Sequence, residues 1–233
     1  RDFNRFWYST GRVPFKSVDE FEIARALFAR GFKETDQRMP VPNDHADAAS
    51  LWRADDTICH LFSFIARREQ HPLRFLRWMR WLPWHGTVLE FGAGAAPLAD
   101  ALDRHWPFSA PDVVVADIDW HLHDYQKWRF EDHPHVAVVT IPPSGPVFPA
   151  GQMFDGILCV ETLEHVPDPL KTAHYLMGLL RPGGVLIVDY GPQTKNQPLA
   201  PQGMSARDKT LKFLKQSGKI LKDGDGAEFM VIR

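Results

Sequence analysis

Cysteine is scarce: Cys59 and Cys159 are the only two in 233 residues, and neither sits at a metal-ligand spacing. That excludes a disulfide-built scaffold and leaves two reduced, buried thiols in a cytoplasmic protein as the expectation. Long apolar runs are missing too; none approaches the roughly 20 residues of a membrane span. No signal-peptide pattern stands out. The chain nevertheless starts at Arg1 and stops in the apolar run "EFMVIR", as a piece of a longer chain would. Basic excess is also absent. Lys+Arg number 27 against 29 Asp+Glu, for a net charge of −2, which argues against a general binder of nucleic-acid backbone. There are no repeats and no low-complexity tracts. What remains is 44% hydrophobic, enough for one α/β core with a small appendage. Oligomeric state is not legible in it.

Two zones divide the chain. Residues 1–84 are expected to form a helical N-terminal extension or cap. An aromatic opening, "FNRFWYSTGRVPF", precedes "SVDEFEIARALFARGF", where Ser17 and Glu20 form an S-x-x-E capping box and Gly31 closes the helix. Residues 34–47 read as a loop, and 48–84 as two helices broken near Pro72. Arg74, Arg77 and Arg80 interleave there with Phe75, Trp78, Trp81 and Trp84. Together with Arg207, Lys209, Lys212, Lys215, Lys219 and Lys222 they are either solvated faces or contacts for anionic lipid or RNA.

From residue 85 to 233 short apolar strands alternate with helices. The strands are "TVLEF" (87–91), "DVVVAD" (112–117), "HVAVVTI" (135–141), "DGILCV" (155–160) and "VLIVDY" (185–190). Helices are expected over 96–106, near 120–130, over 168–180 with Asp168 as N-cap and "RPGG" as stop, and over 205–218. Such alternation implies a parallel, doubly wound sheet. The end, "GKILKDGDGAEFMVIR", reads as a hairpin, so the final strand should run antiparallel to its neighbour.

"VLEFGAGAAPLADAL" places Gly92 and Gly94 at a strand-to-helix turn, where a missing Cβ lets a nucleoside approach. A dinucleotide fingerprint would put Pro97 at its third glycine, a poor fit between helix and strand. A nucleoside cofactor without pyrophosphate tolerates this turn. It also tolerates Glu90, a carboxylate that would repel pyrophosphate and attract an ammonium. Asp117, at the end of the second strand, can accept hydrogen bonds from ribose hydroxyls, with Asp119 as its alternative.

"VLEFGAGAAPLADAL", "VVVADID", "FDGILCVETLEHVPDP" and "LLRPGGVLIVDY" together resemble, in order and spacing, the motifs of class I S-adenosylmethionine-dependent methyltransferases. The resemblance covers about residues 85–233. It implies a Rossmann-like seven-stranded sheet of order 3-2-1-4-5-7-6 with the last strand antiparallel. It also implies a site in which Glu90, Gly92, Ala93 and Gly94 line the methionine end, Asp117 and Ile118 the ribose side, and Val160 the end of the fourth strand. Ala96 stands where the family often has a third glycine, and the segment after the third strand lacks the usual aspartate near the adenine.

The fourth strand neighbours the first at the switch point, so "CVETLEHVPDP" lies at the chemistry by position. Methyl transfer from a sulfonium needs an aligned nucleophile that loses its proton, a task suited to His165 with Glu164 beside it. Alternatively Glu161, Glu164 and His165 hold a divalent metal, or Glu164 and His165 merely cap the next helix. The segment resembles that of ubiquinone-biosynthesis O-methyltransferases. Its E-x-x-E-H core is also similar to that of small-RNA 2′-O-methyltransferases, which implies Mg2+ as an option. The readings left open are a small-molecule O-methyltransferase, a metal-dependent RNA 2′-O-methyltransferase and a non-catalytic cofactor-binding module.

Overall fold

The computed structural model describes residues 2–36, 50, 53, 61, 62, 65, 81, 82, 85–105, 111–142, 148–190, 205–223 and 228–233. Cys59, the Arg74/Arg77/Arg80 face, most of the expected 34–47 loop, the 191–204 connection and the Asp-Gly-Asp-Gly turn lie outside the described residues.

Five parallel strands form the centre: β1 (Thr87–Phe91), β2 (Asp112–Asp117), β3 (Val136–Thr140), β4 (Phe154–Val160) and β5 (Leu180–Asp189), laid side by side as β3-β2-β1-β4-β5. β1 and β4 read as near-continuous apolar runs because helices cover both faces of the sheet. Alternate residues enter opposite cores. Val88 and Leu158 pack on one face, Leu89 and Ile157 on the other. Two further strands, β6 (Lys219–Asp223) and β7 (Glu228–Ile232), pair antiparallel with each other, and β7 runs antiparallel beside β5.

The connecting helices are α3 (Pro97–His105), α4 (His121–Arg129), α5 (Pro169–Leu179) and α6 (Arg207–Gln216). Asp168 caps α5, its side chain accepting from the Lys171 N–H at 2.9 Å, with Pro169 preset in the first turn. The "RPGG" segment differs from expectation. Instead of a loop that stops the helix, it is already strand: β5 starts at Leu180, with the Gly183 N–H on the Arg233 carbonyl at 3.0 Å. Gly183 itself takes a left-handed φ of 81°, where the β4–β5 register shifts between Phe154 and Gly156, and the Arg233 N–H donates back to the Gly184 carbonyl at 3.1 Å.

Among the described residues, the helices α1 (Asp2–Ser9) and α2 (Val18–Asp36) lie ahead of the sheet in the chain. α1 gives the aromatic opening a helical form, and α2 continues through Gly31 rather than closing there. A glycine inside a helix costs about 1 kcal/mol against alanine, which slows a helix but does not end one. The capping box holds α2's start: the Glu20 N–H donates to Ser17 Oγ at 3.1 Å, and the Lys16 N–H to the Glu20 carboxylate at 2.6 Å. Phe3, Phe6 and Trp7, spaced for one helical face, pack with Phe62, Trp120 and Tyr125 in an aromatic cluster that also takes in Ala95 of the turn after β1. The N-terminal segment therefore rests on α4 and on that turn, while Tyr8 stays exposed.

Candidate functional site

β1 has β2 on one side and β4 on the other, so the carboxyl ends of all three strands open on a common cleft edge. The turn after β1 is built from three left-handed residues: Gly92 at φ 65°, Gly94 at 57° and Ala96 at 50°. The two glycines take that conformation without Cβ strain. Ala96 does not, which is the physical content of a glycine preference at this place; such a residue costs about 1–2 kcal/mol. The Ala96 N–H donating to the Ala93 carbonyl at 2.8 Å tightens the turn. Gly92 and Ala93 both donate to the Ala116 carbonyl, binding the turn to β2.

Gly92 has a second constraint. A Cβ built there would lie 2.2 Å from Thr162 Cγ2 and 2.5 Å from Thr162 Oγ1. Thr162 follows β4, and its hydroxyl reaches the carbonyls of Val160 at 3.0 Å, Gly92 at 3.2 Å and Phe91 at 3.3 Å. One hydroxyl thus joins the ends of β1 and β4. Sequence reading passed over Thr162, because a threonine in "ETLEH" carries no signal until its partner strand is known.

Glu90 is buried, and its carboxyl group is engaged from within the fold. One carboxylate oxygen accepts the Leu98 N–H at 2.9 Å and the other the Ala99 N–H at 3.0 Å, so Glu90 caps α3. Burial dominates its acidity and pushes its pKa up to about 8, against the downward pull of those two backbone N–H groups. Asp117 is buried as well. It accepts from the Gly94 N–H at 2.6 Å, the Ile118 N–H at 2.8 Å and the Gln126 side-chain amide at 3.2 Å. Burial raises its pKa, while the Gly94 and Ile118 N–H groups and His123 hold it down. The Trp120 side chain, at the start of α4, lowers it too, so the carboxylate is held by donors from the glycine turn, from its own following residue and from α4. Asp119 is exposed, 3.6 Å from Arg53. Ile118 is half-buried against the aromatic cluster.

On the β4 side, Glu161 takes a left-handed φ of 51°, strained for a residue with a Cβ, and its N–H donates to the Asp189 carbonyl at 2.9 Å. Leu163–His165 form one 3-10 turn, fixed by the His165 N–H on the Thr162 carbonyl at 2.9 Å. Glu164 is buried below this turn; His165 and Val160 are half-buried at the edge. After burial itself, the charge of Glu164 is the next cause raising the pKa values of Cys159 and Tyr190, so both stay protonated. The metal set is not assembled. Among the described residues no group of three His, Cys, Asp or Glu could hold an ion, and Glu164 points into the core while Glu161 and His165 stay nearer the surface. The Mg2+ expectation has no donor set behind it.

The family model described as "Methyltransferase domain" matches residues 54–220, and the chain belongs to that family. The fold is that of class I S-adenosylmethionine-dependent methyltransferases. The match begins at residue 54, inside the expected N-terminal extension. Ubiquinone biosynthesis O-methyltransferase of Histophilus somni is 33% identical over 116 residues, 49% of this chain and 48% of that protein. Its Xylella fastidiosa namesake is 35% identical over 115 residues, 48% and 43% of the two chains. The chain thus spans about half the length of the curated relatives it matches. Among solved structures, an O-methyltransferase family protein from Burkholderia thailandensis superposes with TM-score 0.61 at 12% identity, covering 94% of this chain and 73% of that one. A SAM dependent methyltransferase from Aquifex aeolicus gives 0.51 at 18%, covering 81% and 96%. No described helix is long and apolar enough to cross a membrane.

Proposed function

We propose that this chain transfers a methyl group from S-adenosylmethionine to an oxygen of a small molecule. The observation that carries the reading is the left-handed turn Gly92–Ala96 seated against the buried Asp117 at the switch point of the sheet. The names of the curated relatives support an oxygen acceptor. The antiparallel β7 beside β5 supports the seven-stranded arrangement expected for the family.

Gly92, Ala93 and Gly94 would line the cofactor's methionine end, with Glu90 shaping that turn from beneath through α3. Asp117 and Ile118 would face the ribose, and Val160 would close the cleft from β4. S-adenosylmethionine supplies an electrophilic methyl. The chain's task is to orient the acceptor and receive its proton. His165, half-exposed at the cleft edge, is the proposed base, and the buried Glu164 the group that sets the turn it stands on. Residues 1–84 are proposed as an appendage that supports the cofactor side through the aromatic cluster.

The test is calorimetry with S-adenosylhomocysteine, followed by mass-spectrometric detection of methyl transfer to a panel of phenolic and hydroxylated small molecules. Saturable binding and a gain of one methyl on oxygen are expected. Absence of S-adenosylhomocysteine binding would sink the reading and leave a module for another ligand.

A further inference from the structure

We propose that Gln126, backed by His123, is a positioning residue of the cofactor site: it touches no ligand, but fixes Gly94 and Asp117 relative to each other so that turn and acid meet the nucleoside as one rigid cradle. The proposal rests on the reading above.

Both side chains are fully buried on α4. Gln126 donates from Nε2 to the Gly94 carbonyl at 2.6 Å and to Asp117 Oδ2 at 3.2 Å. A carbonyl can only accept, so the amide's orientation is fixed. Its Oε1 then faces His123 Nδ1 at 2.9 Å, which must carry the proton. His123 Nε2 meets the Thr140 hydroxyl at 2.8 Å. Thr140 ends β3 and is the register partner of Asp117, whose carbonyl accepts the Ile141 N–H at 2.7 Å. The hydrogen bonds close a ring around the end of β2: Asp117, Gly94, Gln126, His123, Thr140 and back through the strand ladder.

Two polar groups of Gly94 are held from one side, its N–H by Asp117 and its carbonyl by Gln126. That locks the peptide orientation of a residue whose left-handed φ is otherwise only one of several a glycine can take. Helix packing alone does not explain the pair. Leucine or methionine would fill the same space without the desolvation of a buried amide and imidazole, a burden of about 1–3 kcal/mol each when unmet. What the polar pair adds is direction.

The experiment uses Gln126→Met and His123→Phe, which keep bulk and remove the donors, and Thr140→Val at the exposed end of the ring. Two readouts are taken well below each variant's melting point: S-adenosylhomocysteine affinity by calorimetry, and the amide resonance of Gly94 in a nitrogen-15 correlation spectrum. In the parent the short N–H bond to Asp117 should place Gly94 at low field. Gln126→Met should weaken binding about tenfold or more and move that resonance upfield while the β4 and β5 amides stay put. His123→Phe should do the same to a smaller degree, and Thr140→Val least. A purely structural role would lower melting points yet leave both readouts unchanged, and that result overturns the proposal. If Gln126→Met does not fold, His123→Phe and Thr140→Val decide by the same criteria. Should the parent bind no S-adenosylhomocysteine, the functional reading fails and the Gly94 resonance alone decides the positioning role.

Discussion

Replacing Gly92 by alanine tests the joint between β1 and β4 with one atom. The added Cβ meets three Thr162 atoms, Cγ2 at 2.2 Å, Oγ1 at 2.5 Å and Cβ at 2.9 Å. Thr162 has little room to yield. It is β-branched, so few side-chain rotamers are open to it, and its hydroxyl is committed to a cluster of backbone carbonyls. Overpacking of this kind costs about 1–3 kcal/mol. The left-handed φ of 65° adds about 1–2 kcal/mol for any residue with a Cβ. The two together give about 2–5 kcal/mol, which for a domain this size is a fall in Tm of roughly 4–20 °C.

The assay is urea unfolding of Gly92→Ala, Thr162→Ala and the double variant. Thr162→Ala removes two of the three clashing atoms, so the double variant should be more stable than the sum of the single losses by about 1 kcal/mol or more. The backbone strain at residue 92 survives in both, so the rescue stays incomplete. A Gly92→Ala protein within about 0.5 kcal/mol of the parent, or strict additivity in the double variant, would show that the two strand ends are not packed as described.

Two further outcomes follow. Glu90 releases its proton near 4.5 when unfolded and only at about 8 when folded; the folded state thus binds more protons between these values. Its contribution to stability is complete below pH 4.5 and is lost as pH rises through 8, so Glu90→Gln should flatten the fall in Tm between pH 5 and pH 8. Identical pH profiles for variant and parent would mean that this carboxyl does not titrate in the fold as described. EDTA, with Mg2+ then added back, should leave methyl transfer unchanged, since no donor set assembles around Glu161, Glu164 and His165; loss and recovery of activity would reinstate the metal.

Strands were the most legible part of the chain. A central parallel strand is buried on both faces, so β1, β2 and β4 announce themselves as short apolar runs whatever surrounds them. Asp168-Pro169 marked a helix start because the cap is local. Features that depend on a distant partner were not legible. The "RPGG" segment becomes strand only because Arg233 lies beside it. Thr162 matters only because Gly92 lies against it, and Gln126 only because its helix brings it under the glycine turn. One missed feature had a local signal. Phe3, Phe6 and Trp7 fall at the spacing of one helical face, which marks α1. Another needed a close look at α4: in "WHLHDYQKW" the buried positions Leu122, His123, Tyr125 and Gln126 follow a helical stripe, two of them polar.

Glu90 and Asp117 show why the site's acids resist simple mutational reading. Each was assigned from sequence to a ligand, and each is committed to backbone N–H groups: Glu90 to the first turn of α3, Asp117 to the glycine turn and its own following residue. Such bonds are strongest when the acceptor is ionised, so they pull both pKa values down against the burial that raises them. Removing either carboxylate therefore loosens the turn before any ligand arrives, and a loss of affinity in Asp117→Ala cannot by itself count as evidence of a ribose contact. Discrimination comes from the rim. Thr140 stands at the exposed end of the hydrogen-bonded ring, where a lost hydroxyl disturbs folding least. An affinity change that propagates from Thr140 through His123 and Gln126, shrinking with distance from Gly94, would separate the shape of the cradle from its stability.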